Sequence, residues 1–302
     1  MGASFNFFGL VVEILNVLAP AAILATIGVI WAKKGPEFPV KFVTTLVLNI
    51  GMPALLFSTL ASSSVELGSL GDMVLATLLV HLIFSLLAIA LLKQAGKDWR
   101  LCVALVVGNT GNLGLPVCFF AYGDEGLAYA MVFFSVQCLL LFSLADTVLA
   151  GNLSIKPVLR SPILHAVWLG TLAQYLDLAS VLPKFVMDTS SLLGQLVVPV
   201  MLITLGVSLA GMSVKNLPET LKWSLIRTGI ALLVGFGVAT LVGLEGVARG
   251  ILMIETTVPV AVFNFLLAIR HNRDSAEVSG LILVTHLGAI IYLPILLGVL
   301  LV

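Results

Sequence analysis

Apolar stretches of about 20 residues follow one another along almost the whole chain, each closed by a small cluster of charged side chains. A helix needs about that length to cross the hydrocarbon core of a bilayer. Only helices and closed barrels satisfy their own backbone hydrogen bonds in lipid. The stretches lie near 10–31, 40–60, 71–92, 100–121, 126–149, 158–178, 184–210, 221–242, 247–269 and 278–301. They predict an all-α membrane protein with ten transmembrane helices. Composition agrees: 60% of the 302 residues are hydrophobic and 10% charged, where a soluble domain carries about a quarter charged residues.

Fifteen basic residues balance fifteen acidic ones, so no basic field exists to attract nucleic acid, and none is expected as a partner. The lipid bilayer is the expected partner, and the placement of charge matters more than its sum. Thirteen of the fifteen basic residues lie in or beside the loops after odd-numbered spans, from Lys33 and Lys34 to Arg270 and Arg273. The loops after even-numbered spans hold only Lys184 and Arg249, among acids such as Glu66, Asp72, Asp124 and Glu125. By the positive-inside rule the odd loops are cytoplasmic and both termini extracytoplasmic, in a cell membrane. The N-terminal "MGASFNFFGL" lacks a basic n-region and predicts no cleaved signal. Cys102, Cys118 and Cys138 have no C-x-x-C spacing and read as packing residues. His81, His165, His271 and His286 have no ligand spacing, which argues against a resident metal and leaves His81 and His286 as candidate proton relays. No cofactor is expected.

The prolines write an internal repeat. Pro20 and Pro162 are 142 residues apart, Pro53 and Pro199 are 146 apart, and Pro116 and Pro259 are 143 apart. Residues 1–150 and 151–302 then form two five-helix repeats. Because five is odd, the second repeat enters the membrane from the opposite side and is inverted. Inverted repeats with Gly/Pro-interrupted spans at matching positions point to a secondary transporter that binds its substrate between broken helices near the midplane.

Two such spans stand out, "GNTGNLGLPVCFF" in the fourth and "IETTVPVAVFNF" in the ninth. Gly108, Gly111 and Gly114 permit unwound backbone ahead of Pro116, which lacks an amide donor. Asn109, Asn112 and Asn264 bring amides that need partners in lipid. An anion is expected at this crossing, touched by Asn112, Gly114, Pro116, Val258 and Pro259, with Asn109, Asn264 and Gln137 near it. Glu255 lies four residues before Pro259, and an intramembrane carboxylate is a functional residue by default. With Thr256 and Thr257 it reads as the coupling site for a sodium ion or a proton. Arg227 is assigned to the cytoplasmic end of span eight, too far to pair with Glu255.

"GNTGNLGLPVCFFAYGDEGLAYAMVFFSVQ" and "TVPVAVFNFLLA" resemble the fourth, fifth and ninth helices of the auxin efflux carrier family in its bacterial branch. The layout is similar over the whole chain, except that only "GNLSIKPVLRSP" joins the halves where plant carriers have a long loop. The resemblance implies a fold shared with bile acid sodium symporters, with spans four and nine crossing. It implies a transport domain from 71–150 and 221–302 that moves like an elevator against a scaffold from 10–60 and 158–211. It also implies homodimers through the scaffold, and small organic anions, mono- or dicarboxylates, as substrates. Glu255 stands where the symporters have a sodium-binding glutamate. The leading reading is a secondary active transporter. Its rivals are a passive channel or uniporter, and an intramembrane aspartyl protease suggested by "AYGD" at 121–124. That motif lacks the first glycine and a second mid-membrane aspartate, so an enzyme is not expected.

Overall fold

A computed structural model describes residues 7–141, 143, 148, 149 and 159–301. Asp146, Lys156, most of the junction between the halves and both terminal residues lie outside this set. Among the described residues every regular element is helical. In chain order these are α1 Phe7–Lys34, α2 Val40–Leu46, α3 Met52–Ala61, α4 Leu67–Gln94, α5 Cys102–Val106, α6 Leu115–Leu140, α7 Pro162–Tyr175, α8 Lys184–Gln195, α9 Val197–Ala210, α10 Leu217–Val242, α11 Gly246–Thr257, α12 Phe263–Arg270 and α13 Ser275–Leu300.

Seven helical runs are long and apolar enough to cross a membrane. Among them α4, α10 and α13 have 28, 26 and 26 residues, or about 40 Å of helix against a core of about 30 Å. The remaining expected spans are met by shorter or broken helices. The segment expected as span six is a 14-residue helix, α7. The end of span four and the start of span five are two helical segments of α6 that meet at Gly123, whose backbone is not helical (φ 64°, ψ −149°), so the expected division between them falls there. Spans four and nine are each split by non-helical backbone, at Val107–Asn109 and Val258–Val262. Outward-facing side chains are apolar: Leu233, Leu241, Ile290, Ile291 and Val299 are all at least 70% exposed. In water such a surface would aggregate, and in lipid it is solvated.

Packing divides the helices into two sets. In one, α1 lies against α9, and α3 against α7 and α8; in the other, α6 and α10 pack against α4 and α11, with α13 behind α10. Glycines set the closest approach in the first set. A side chain at Gly28 would run into the Ile203 carbonyl, and one at Gly206 into the Ala25 carbonyl, so α1 and α9 touch backbone to backbone. Such contacts carry helix association where no hydrophobic drive exists.

At one end, Lys97 after α4 ties the starts of α10 and α13 together, 2.7 Å from Glu277 and 3.3 Å from Glu219. Partial burial works against its charge, but these carboxylates outweigh it and hold the Lys97 pKa above the ordinary lysine value. Asp98 pairs with Arg100 at 3.5 Å and Arg273 at 3.4 Å beside it.

Candidate functional site

The two breaks meet. Asn109 N donates to the Pro259 carbonyl at 2.7 Å, and Ala261 N donates to the Val107 carbonyl at 3.0 Å, so Gly108 and Val260 form one antiparallel bridge between the broken segments. Each break leaves amides and carbonyls without helical partners, and in lipid these must be satisfied inside the protein. The bridge satisfies four of them. The rest explain the polar side chains packed around it.

Asn264 Nδ2 donates to the Val107 carbonyl at 3.0 Å and the Ala104 carbonyl at 3.4 Å. Gln137 Nε2 donates to the Gly108 carbonyl at 2.9 Å and to Thr110 Oγ1 at 2.7 Å. Val260 N donates to Thr285 Oγ1 at 3.1 Å. Both buried histidines reach the same region. His286 uses Nδ1 on the Ile282 carbonyl, so its Nε2 is free to accept from Asn109 Nδ2 at 3.0 Å. His81 Nε2 lies 3.4 Å from Gln137 Oε1. Asn109, Asn264, Gln137, Val258 and Pro259 thus gather at the crossing, as the polar and proline positions of the sequence led one to expect.

Pro116 does not mark the break. The chain unwinds at Val107–Asn109, and Thr110–Gly114 already form a wide π turn. Pro116 follows directly on that turn, inside the helical run Thr110–Leu140, where its missing amide removes one helical bond. The unwinding expected ahead of Pro116 is found at the first of its three glycines, Gly108, while Gly111 and Gly114 lie in the π turn.

Arg227 is likewise not at the edge of its span. It is fully buried in α10, with Nε on the Leu105 carbonyl at 3.2 Å and Nη1 on the Thr257 carbonyl at 3.0 Å. These are the carbonyl ends of the two half-helices that lead into the crossing. The Tyr292 hydroxyl donates to the same Thr257 carbonyl at 2.8 Å. Arg227 makes no ion pair with Glu255 among the described residues.

Glu255 faces the other way, into α6. It is 1% exposed, accepts a hydrogen bond from Cys118 Sγ at 3.6 Å, and leaves Oε2 without a protein partner. Its carboxyl fills the space that a side chain at Gly114 would need. Thr257 turns its hydroxyl back onto the Met253 and Ile254 carbonyls at 2.8 and 3.1 Å. Thr256 Oγ1 is buried without a partner, on a side chain that lies against Gly235 of α10.

A cavity of about 140 Å³ opens on the crossing between the two sets of helices. One wall is Gly108–Asn112 and Ala261–Phe263, the starts of the two outgoing half-helices, with Gln137 beside them. The opposite wall is Thr44, Val47, Met201, Thr204 and Ser208. No charged side chain lines it among the described residues. Asn112 is half-buried there. The first turn of a helix leaves amides unpaired and carries a partial positive charge, so this wall suits an anion without a lysine or arginine in contact. The "AYGD" aspartate, Asp124, is exposed and lines a separate cavity of about 860 Å³ with Glu125 and Asp188.

The sequence profile described as "Membrane transport protein" matches the chain twice, over residues 13–153 and 146–297. An uncharacterized transporter of Methanothermobacter thermautotrophicus is 27% identical over 96% of this chain and 98% of its own length. One from Methanocaldococcus jannaschii is 25% identical over 81% of this chain and 84% of its own.

Proposed function

From the premise that this chain belongs to the membrane transport protein family, that of the auxin efflux carriers, and is a multi-pass membrane protein, we propose that it is a secondary active transporter of small organic anions. The observation that carries this reading is the cavity at the crossing, walled by two half-helix starts and by Asn109, Asn112 and Gln137. A dipole end contributes up to about 2 kcal/mol to a partly buried anion, and two ends with amide donors suit a carboxylate. At about 140 Å³ the cavity fits a small mono- or dicarboxylate better than a drug-sized ligand, which takes about 300 Å³ or more.

The helices then act as two inverted five-helix repeats. Those of 10–60 and 158–211 are a scaffold, through which homodimers form, and those of 71–150 and 221–302 are an elevator-like transport unit. The location of the cavity between the two packing sets supports this division, because sliding one set past the other exposes the cavity on alternate sides. Both termini face outward from the cell membrane.

Glu255 couples transport to a sodium ion or a proton. A buried carboxylate is costly if charged and alone, and the unpartnered Oε2 supports an exchangeable cation there. A carboxylate stabilisation screen of the purified protein, with and without sodium, identifies the substrate, and proteoliposomes then measure uptake. Glu255→Gln keeps the shape and abolishes accumulation against a gradient while counterflow exchange survives. Wild-type accumulation by this variant would make Glu255 a structural group.

A further inference from the structure

Two half-helices end at the crossing, and both ends point their unpaired carbonyls at one side chain. Trp99–Val106 and α11 finish two and three residues before the bridge residues Gly108 and Val260. A helix C-terminus carries about half an elementary negative charge, so two that converge amount to about one negative charge in a medium that cannot screen it. A soluble protein would leave such carbonyls to water. Here they face Arg227, whose Nε and Nη1 take one carbonyl from each half-helix, Leu105 and Thr257. One guanidinium therefore matches both the charge and the two-point geometry of the pair.

The third nitrogen adds a second, independent observation. Arg227 Nη2 is buried with no hydrogen-bond partner. It lies 3.4 Å from where a Cβ on Gly108 would stand, so it abuts the bridge itself. An arginine kept only for packing has no reason to be there, since a charged side chain at membrane depth is costly by several kcal/mol and a methionine fills similar volume. The groups facing it from the packed elements are backbone carbonyls, the Tyr292 hydroxyl and His286, with no carboxylate among its described partners.

We propose that Arg227 is the crossing's own cation: a positioning residue that clamps the carbonyl ends of the two half-helices to α10 and permanently supplies the positive charge that those ends would otherwise draw from a bound metal ion. On the transport reading above, the anion site, which Arg227 does not line, is then held in shape without a metal ion at this position, and any cation dependence resides at Glu255 alone.

The test is charge-specific rescue. Arg227→Ala, purified in detergent, is melted in increasing guanidinium chloride, urea, sodium chloride and choline chloride at low concentrations. Guanidinium, which restores shape and charge, raises the melting temperature along a saturating curve and recovers half or more of the loss. Urea, of the same shape without the charge, recovers none. Sodium, against choline, gives partial recovery in the variant and none of this kind in wild type. Arg227→Lys keeps the charge on a one-point donor and melts between wild type and the alanine variant. Equal action of urea and guanidinium overturns the proposal, as does an Arg227→Met variant as stable as wild type. Failure of all three variants to fold, the charge-keeping lysine included, makes the side chain a packing element and overturns it too. These melts need no substrate, so their outcome is separate from that of the transport reading.

Discussion

Gly114→Ala tests how tightly the glutamate is held. The added methyl would stand 2.7 Å from both Cδ and Oε1 of Glu255 and closer still to Oε2, where ordinary contacts lie near 3.5–4.0 Å. Relief requires a shift approaching 1 Å, and Glu255 has little room to give, since α11 is buried against α6 with Ile251, Leu252 and Ile254 at 0% exposure. Overpacking of this kind costs about 1–3 kcal/mol, read as a fall of several degrees in the melting temperature of the purified protein. The decisive comparison is a double-mutant cycle. Glu255→Ala removes the carboxyl and opens the space, so Gly114→Ala should cost almost nothing on that background, a coupling of about 1–3 kcal/mol. Glu255→Gln has the same bulk and should give no relief. A neutral Gly114→Ala, or one equally harmful in the Glu255→Ala background, would refute the packing of Glu255 into the Gly114 gap.

Other substitutions separate the cavity from its support. Asn112→Ala should weaken binding of the carboxylate found by screening at least tenfold, about 1.4 kcal/mol, with little change in melting, because Asn112 is only half-buried. Asn264→Leu should do the reverse first: it removes the amide bonded to the Ala104 and Val107 carbonyls, leaving Val107 only its bond from Ala261 N, and costs about 1–3 kcal/mol of stability. The Lys97 network predicts a pH signature. The folded protein holds this proton more tightly than the unfolded chain, so its stabilisation is complete at neutral pH and is lost only as pH rises past about 10.5. A melting temperature that falls between neutrality and that value, and is restored by Lys97→Met, would contradict it.

Much of the crossing was legible because its causes are local. A proline, three glycines and two asparagines within nine residues announce backbone that cannot stay helical, and Asn264 and Gln137 announce amides that must bond something. Where span four unwinds was less legible. Proline disrupts a helix interior, yet the backbone opens at Gly108 and closes into the π turn before it reaches Pro116, inside the helical run Thr110–Leu140. Arg227 was missed for a different reason. Counted along the chain it lies near a basic loop, but ten residues into α10 is about 15 Å of rise, deep enough to meet the bridge. The carbonyls it binds belong to residues 122 and 30 positions away, and no periodicity reports which carbonyls two distant breaks will leave unpaired. An arginine so placed in an otherwise apolar span was the available signal. The boundary between spans four and five was legible at Gly123, where a positive-φ glycine breaks the helical backbone of α6.

The most direct measurement of the central claim is a cryo-EM structure of the protein in lipid nanodiscs, saturated with the carboxylate that stabilises it most. Density for the bound anion is expected in the cavity at the crossing, with its carboxylate against the amides of Thr110–Asn112 and the side chains of Asn109 or Asn112, and no such density in Asn112→Ala at the same concentration. Density instead in the larger cavity beside Asp124, Glu125 and Asp188, or a crossing that stays empty at saturation, would contradict it.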